Sequence, residues 1–185
     1  MSSQVGNESG KGESLMSRGN FLDFNSKLDE SGYNEILKQM NFLDEREIEY
    51  GYPDAGVIHQ ESKESIVDIA HWNNDGVKSK DGDTWHIPPR EFMDMAAMFT
   101  AEEMQKYNKL VNDTLAKYHG TSQIETVLKV IGDMTADSIR EAIDTQEFSP
   151  LAPSTIIQKG SDIILIETGQ LYNDAIYEIT RSGGD

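Results

Sequence analysis

The stretch SQIETVLKVIGDMTADSIREAI, residues 122–143, carries the clearest apolar periodicity in the chain. Its large apolar residues recur every three or four positions, and this spacing places them on one face of an α-helix. Ser122 and Glu125 have the spacing of a capping box, so we expect the helix to begin at Ser122 and residues 144–150 to end it. The apolar face comprises Ile124, Val127, Leu128, Ile131, Met134, Ile139 and Ile143.

The chain downstream, LAPSTIIQKGSDIILIETGQLYNDAIYEI at residues 151–179, predicts turns that lead into a strand. Pro150 and Pro153 interrupt regular structure. Ser154 is a candidate N-cap for a single helical turn through Ile157, which Lys159-Gly160 closes. The Thr168-Gly169 pair is expected to make a turn that directs Leu171 into the core.

Two short stretches have the alternating pattern of half-buried strands. Residues 48–52 place Ile48, Tyr50 and Tyr52 on one side, and residues 175–180 alternate in the same way. We expect these two stretches to pair with each other. Two Asp-Gly steps in the polar loop at residues 75–86 favour a hairpin or surface excursion.

Upstream of residue 122 the sequence predicts further helices. Residues 31–40 and 63–74 have helical spacing, and the two prolines before Arg90 suit the first turn of another helix. Thr100 and Glu103 form a capping box for the helix that Gly120 closes. The expected apolar faces are Ile36, Leu37 and Met40; then Ile66, Ile69, Ala70 and Asn73; then Met104, Tyr107, Val111, Leu115 and Tyr118.

The predicted fold class is therefore α+β. A small antiparallel or mixed β-sheet packs against three to four α-helices, with long loops. Residues 1–25 are expected to form a flexible N-terminal arm, because their Ser- and Gly-rich sequence buries little apolar surface. Residues 26–185 would then form a single domain.

Composition excludes several classes of protein. The 185 residues carry a net charge of -17, with 16 Lys and Arg against 33 Asp and Glu. Duplex binding requires cationic side chains that displace counterions, so direct DNA binding is disfavoured. The chain has no cysteine, which excludes disulfides and thiolate zinc sites. No signal peptide is visible, and no apolar run approaches the roughly 20 residues of a membrane span.

No stretch of the sequence carries the motif of a catalytic or metal site. The four histidines, His59, His71, His86 and His119, include no pair at helical i, i+4 spacing. The loop around Gly76 and Gly82 does not fit the ligand positions of a calcium-binding EF-hand. Nucleophile-elbow and phosphate-loop motifs are also missing. We therefore expect no enzymatic activity, no cofactor and no bound metal.

Two segments resemble the virion-morphogenesis and tail-completion proteins of tailed bacteriophages, the Mu-like head–tail joining families. In residues 50–93, Gly51 and Pro53 match a "VGxP" strand, and the stretch IPPREF at residues 87–92 matches "IPxRPF" with Glu91 in place of the second proline. Between them, Ala70 and Gly76 match a further element, with Asn74 near its usual glutamate.

The second segment is the more specific. Its stretch LAPSTIIQK, residues 151–159, matches "L-x-PSTI-x-x-K", and LIETGQL, residues 165–171, matches "L-x-D-TG-x-L" with Glu167 in place of aspartate. The resemblance covers roughly residues 46–180, and the N-terminal arm is not part of the family's pattern.

The resemblance implies a structural α+β subunit of the virion, at the neck or tail-completion (tail-terminator) position of the head–tail junction. It implies a homo-oligomeric ring, expected to be a hexamer, that contacts neck or connector proteins and tail-tube or sheath proteins. Genomic DNA would pass through the ring without specific binding. Assembly would take place in the bacterial cytoplasm, with no membrane contact.

Residues of the two segments are the candidates for contacts between subunits. Several of them also have purely structural interpretations: Phe92 as a core residue, Ser154 as a helix cap and Thr168-Gly169 as a turn. In so acidic a protein, Arg90 is suited to pairing with a carboxylate. The full candidate set is Ile87, Pro88, Arg90, Pro153, Ser154, Thr155, Lys159, Thr168 and Gly169.

Two rival functions belong to other classes. The strong acidity is compatible with a DNA mimic that inhibits a host DNA-binding enzyme. His59, His71 or His86 could in principle contribute to a metal-dependent hydrolase, although their spacing does not favour one.

Overall fold

The structure is a computed structural model that describes residues 30–53, 56–80, 82–117 and 120–182. The predicted N-terminal arm at residues 1–25, Tyr118 and His119 lie outside these ranges. The described chain forms six helices and four strands, which confirms the α+β class. In order they are α1 Glu30–Asp44, β1 Arg46–Gly51, α2 Ile66–Asp75, β2 Val77–Lys78, β3 Trp85–Ile87, α3 Phe92–Lys117, α4 Thr121–Asp144, α5 Pro153–Lys159, α6 Gln170–Asn173 and β4 Ile176–Arg181.

Helix α4 organises the core, as its periodicity predicts. It packs along α3 and also contacts α1, β1, β4 and α6. Its apolar face contributes to two core clusters. One cluster joins the C-terminal half of α4 to α2, the start of α3, and α6; the other joins its N-terminal half to α3 and β1. The buried residues of α4 include Ile124, Val127, Ile131, Met134, Ile139 and Ile143.

The two predicted strands do pair. β1 and β4 are antiparallel, with Arg46 opposite Arg181 and Gly51 opposite Ile176. Glu47 and Glu49 face solvent, whereas Ile48 and Tyr50 are half-buried against the helices. β2 and β3 form the hairpin expected for the Asp-Gly loop, so the small sheet is in fact two separate antiparallel pairs.

Three predicted helix starts are wrong. Thr100 does not cap a helix, because α3 runs without interruption from Phe92, and the Thr100 hydroxyl is buried without a hydrogen-bond partner. Helix α4 begins at Thr121 after Gly120, and the Ser122 hydroxyl donates to Gln123 at 2.9 Å instead of capping. Helix α5 begins at Pro153 after Ala152, which puts Ser154 inside its first turn, and it continues to Lys159.

The orientation of α1 also differs from the simplest expectation for an amphipathic helix. The helix turns Gln39, only 1% exposed, and the half-buried Leu43 toward the protein. The predicted apolar face, with Ile36, Leu37 and Met40, lies at the surface.

A groove lined by two tryptophans

A groove of about 600 Å³ opens where five segments of the chain meet. Its wall is formed by the loop before α2, helix α2 itself, the β3 strand with the chain that leads to α3, the region of α5, and the turn before α6. These segments are distant in sequence, and the α2–α6 packing and the core cluster around Phe92 hold them together. Contributing residues include His59, Trp72, Trp85, Arg90, Lys159 and Thr168.

Arg90 is buried in the groove and has few partners. Its backbone N–H donates to the carbonyls of Asn73 and Asn74 at the end of α2, at 2.8 and 3.2 Å. Its Nη1 donates to Asn73 Oδ1 at 2.7 Å, but its Nε is buried with no partner. Burial lowers the pKa of Arg90 from its ordinary value, yet a guanidinium keeps its charge at physiological pH.

Lys159 is a second cation on the groove wall. Its Nζ donates to the carbonyl of Ile163. Burial lowers the pKa of Lys159; the Glu167 carboxylate opposes this shift, and the charge of Arg90 adds to it. Within the described ranges, neither Arg90 nor Lys159 forms an ion pair at 4 Å or less. The groove wall thus carries these two cations together with the carboxylates of Glu64 and Glu167, so positive and negative groups are balanced there.

One side of the groove is fixed by hydrogen bonds between two loops. His59 Nδ1 accepts from the Ser62 backbone N–H at 3.2 Å, so Nε2 carries the proton and donates to Thr168 Oγ1 at 3.1 Å. Gln170 Oε1 accepts from the Gln60 N–H, and Gln170 Nε2 donates to the Ile58 carbonyl. Both ring nitrogens of His59 therefore form hydrogen bonds that hold the loops in place. His59 lies close to Ser62 because the two residues belong to one turn, and we do not interpret them as a nucleophile–base pair.

Both tryptophans of the chain line this groove. Trp72 on α2 is 36% exposed and Trp85 on β3 is 48% exposed, and Lys78 lies over the Trp85 ring at 5.3 Å. Leu151, Leu165 and Ile87 add apolar surface. Exposed aromatic side chains in a concave site are typical of contact surfaces for proteins.

Most of the predicted interface residues come together here. Pro153 and Ser154 do not line the groove; they occupy the exposed first turn of α5. In this copy Arg90 pairs with Asn73, not with a carboxylate. The candidates that line the groove are Ile87, Pro88, Arg90, Thr155, Lys159, Thr168 and Gly169.

Sequence reasoning missed Trp72, Trp85, His59 and Gln170 as groove residues. The tryptophans had a usable signal, since they are the chain's only two and both fall in polar surroundings. The roles of His59 and Gln170 depend on contacts across more than a hundred residues, as the separations of 109 and 110 show.

The described residues contain no group of three or more His, Asp or Glu side chains placed to hold a metal ion. His71 instead contacts Asp75 at 3.2 Å on the exposed side of α2. A search of the described helices finds none both long enough and apolar enough to cross a membrane. The groove offers aromatic surface with two cations and two carboxylates on its wall, which suits recognition of a protein segment.

Comparisons of the chain with protein-family models, with curated proteins and with solved structures found no match.

Proposed function

We propose that the chain is a structural virion protein of a tailed phage. In this proposal it is a neck or tail-completion (tail-terminator) subunit that forms a ring at the head–tail junction, and DNA passes through the ring. The supporting observation is the groove: residues from IPPREF, from LAPSTIIQK and from LIETGQL, which carry the resemblance, line one surface although they lie far apart in sequence.

The groove has the properties of a contact surface. Its two tryptophans are partly exposed, and within the described ranges its two cations form no ion pair at 4 Å or less. Such surfaces are stabilised when a partner covers the aromatic rings and supplies the missing anion. A subunit that functions only within an assembly is expected to leave such a surface open when alone.

The distribution of acid fits passage of DNA without binding. Asp133, Asp137 and Glu141 are exposed at successive i, i+4 positions of α4, with Glu103 of α3 beside them. Like charges at this spacing destabilise a helix by a few tenths of a kcal/mol each, so the row has a cost. A carboxylate surface repels phosphate and avoids the counterion release that makes proteins adhere to DNA.

Antibody labelling of assembled virions tests the proposal. Antibody raised against the purified chain should label the head–tail junction in negative-stain images, and preincubation with the purified chain should abolish the label. Label on the capsid lattice, on the fibres or nowhere on the particle would overturn the proposal.

The acidic row keeps one alternative open, a DNA mimic that inhibits a host enzyme. Arg140 interrupts the row, because its Nη1 pairs with Asp137 at 2.7 Å, and a mimic requires a continuous phosphate-like surface. A pull-down from host lysate that recovers a DNA-binding enzyme, together with absence of label on virions, would favour the mimic.

A further inference from the structure

We propose that the exposed apolar face of α1 docks into the tryptophan groove of a second copy of the chain, so that copies associate head to tail. The inference rests on the proposed function, because this contact would join neighbouring subunits of the proposed ring. Its two surfaces are both found on the described part of the chain.

The first surface is an exposed apolar face of helix α1. Tyr33, Ile36, Leu37 and Met40 are 64%, 49%, 38% and 58% exposed. Their spacing of i, i+3, i+4 and i+7 is the anchor pattern with which an amphipathic helix lies in a groove of another protein. The adjoining side of α1 faces its own protein: Gln39 is buried, and Leu43 lines a small cavity together with Val111, Ile124 and Val127.

The second surface is the groove. Trp72, Trp85, Ile87, Leu151 and Leu165 give it apolar walls, and α1 contributes no residue to it. The two surfaces are thus different patches of one molecule. A contact between unlike patches is heterologous, and repeated contacts of this kind close into a ring when the rotation between copies permits.

One charged group on each surface could pair with a group on the other. Asp44 is exposed one turn beyond Met40, at the i+4 position of the same α1 face. The groove supplies Arg90, which forms no ion pair at 4 Å or less within the described part of its own copy and whose buried Nε has no hydrogen-bond partner there. Lys159, by contrast, is already influenced by the carboxylates of Glu167 and Asp162. A carboxylate brought in by a neighbour would give Arg90 a charged hydrogen-bond acceptor.

Sedimentation of the full chain over a range of concentrations tests the inference. The unaltered chain should self-associate. Ile36→Asp with Met40→Asp, or Trp72→Ala with Trp85→Ala, should each weaken association about 30-fold or more, because each pair removes the centre of the contact. Circular dichroism should show both variants folded, since these side chains are at least partly exposed.

A mixture of the two double variants provides the most decisive test. Each variant retains the surface that the other lacks, so an equimolar mixture should form a one-to-one dimer and nothing larger. A contact between like patches could not be restored in this way. Asp44→Lys mixed with Lys159→Glu provides a second complementation that does not alter the apolar anchors.

Met98→Asp is the matched control. Met98 is 65% exposed on α3 and lies outside both surfaces, so its substitution should leave association unchanged. The inference is overturned if the full chain remains monomeric, if both double variants associate like the unaltered chain, or if the mixture forms no dimer. Labelling of the head–tail junction would still support the proposed function in those cases, so the two failures can be told apart.

Discussion

At the scale of single residues, Gly132 shows how closely α4 approaches the sheet. A Cβ atom at this position would lie 2.1 Å from Cδ2 of Tyr177 on β4. Cε2 and Cγ of the same ring would lie 2.3 and 2.6 Å from that Cβ, so the clash involves the whole edge of the ring and not only its far end. The glycine therefore permits the helix to pack directly on β4, in the middle of a helix where alanine would otherwise be preferred.

Gly132→Ala should destabilise the protein by about 1–3 kcal/mol, because overpacking outweighs the gain of up to about 1 kcal/mol in helix propensity. Urea unfolding measures the difference. In a Tyr177→Ala background the same substitution should cost much less, since the two residues are in contact. An equal cost in both backgrounds would contradict the assigned contact.

Tyr52 couples stability to alkaline pH. Burial raises its pKa well above the ordinary value of 10.0, with Arg140 opposing the shift and Asp174 adding to it, and its hydroxyl donates to the Leu171 carbonyl at 2.6 Å. Tyr52 of the unfolded chain ionises near pH 10 while the folded one remains protonated. Its contribution to stability is therefore complete below pH 10 and is lost as the pH rises above it.

Tyr52→Phe should cost about 1 kcal/mol at pH 7 through the lost hydrogen bond and should flatten the fall in stability above pH 10. Urea midpoints measured between about pH 8 and pH 11 would show both effects. Tyr33→Phe, at a position that is 64% exposed, should leave the urea midpoint at pH 7 unchanged. A Tyr52→Phe profile as steep as that of the unaltered chain would refute this role.

At the scale of secondary-structure elements, Asn74 links the end of α2 to the start of α3. Its Oδ1 accepts the Met93 N–H at 2.9 Å, and its Nδ2 donates to Asp94 at 3.2 Å. The Asn74 side chain thus accepts a backbone N–H of the first turn of α3, as an N-cap residue normally does, although Asn74 is not adjacent to α3 in the sequence. The resembling family usually has a glutamate near this position, and here an amide performs the capping.

Asn74→Ala should destabilise the protein by about 1 kcal/mol, the usual cost of a lost helix cap. Asn112→Ala, at an exposed position inside α3, is the matched control and should be neutral or slightly stabilising. The comparison uses urea midpoints. Equal effects of the two substitutions would show that Asn74 does not cap α3.

The substitution Ser122→Ala tests whether Ser122 caps α4, as its sequence pattern predicts, or lies inside the first turn, as in the structure. A capping box at Ser122 and Glu125 predicts a loss of about 1 kcal/mol. The structure predicts almost no loss, since Ser122 lies inside the first turn and its hydroxyl contacts Gln123. Thermal or urea unfolding decides between the two.

The type of each element was predictable because periodicity is a property of many residues together. The 3.6-residue pattern gave α4, and the alternation gave β1 and β4. Helix starts were less predictable, because a capping box is a local pattern while α3 extends back to Phe92 through burial of Phe92 and Ala96. The exposed face of α1 could not be read from its apolar spacing, since that spacing does not say whether the partner is the same chain or another.

At the scale of the whole molecule, the groove could not be derived from the sequence without the resemblance. Its walls come from five segments, and only folding brings Trp72, Arg90 and Lys159 together. Several residues of the motifs that carry the resemblance line the groove, and their role in an interface stays a prediction. The resemblance could not select the tryptophans, which lie outside the quoted motif positions.

The overall charge predicts how assembly responds to salt. Copies with a net charge of -17 repel one another at low ionic strength. Raising NaCl from about 10 mM to about 150 mM shortens the screening length from about 30 Å to about 8 Å, so self-association through the apolar α1 face should strengthen. Sedimentation at both salt concentrations measures this effect. Weaker association at higher salt would show that ion pairs dominate the contact.

The pairing of β1 with β4 also determines the order in which the protein can fold. β1 is the first strand of the described chain and β4 the last, so this sheet can form only after the helices between them have been synthesised. The α3–α4 pair, joined by a short connection, depends on local contacts and is expected to form early. Until β4 emerges from the ribosome, β1 has an unpaired edge, and its exposed Glu47 and Glu49 help to keep that edge from aggregating.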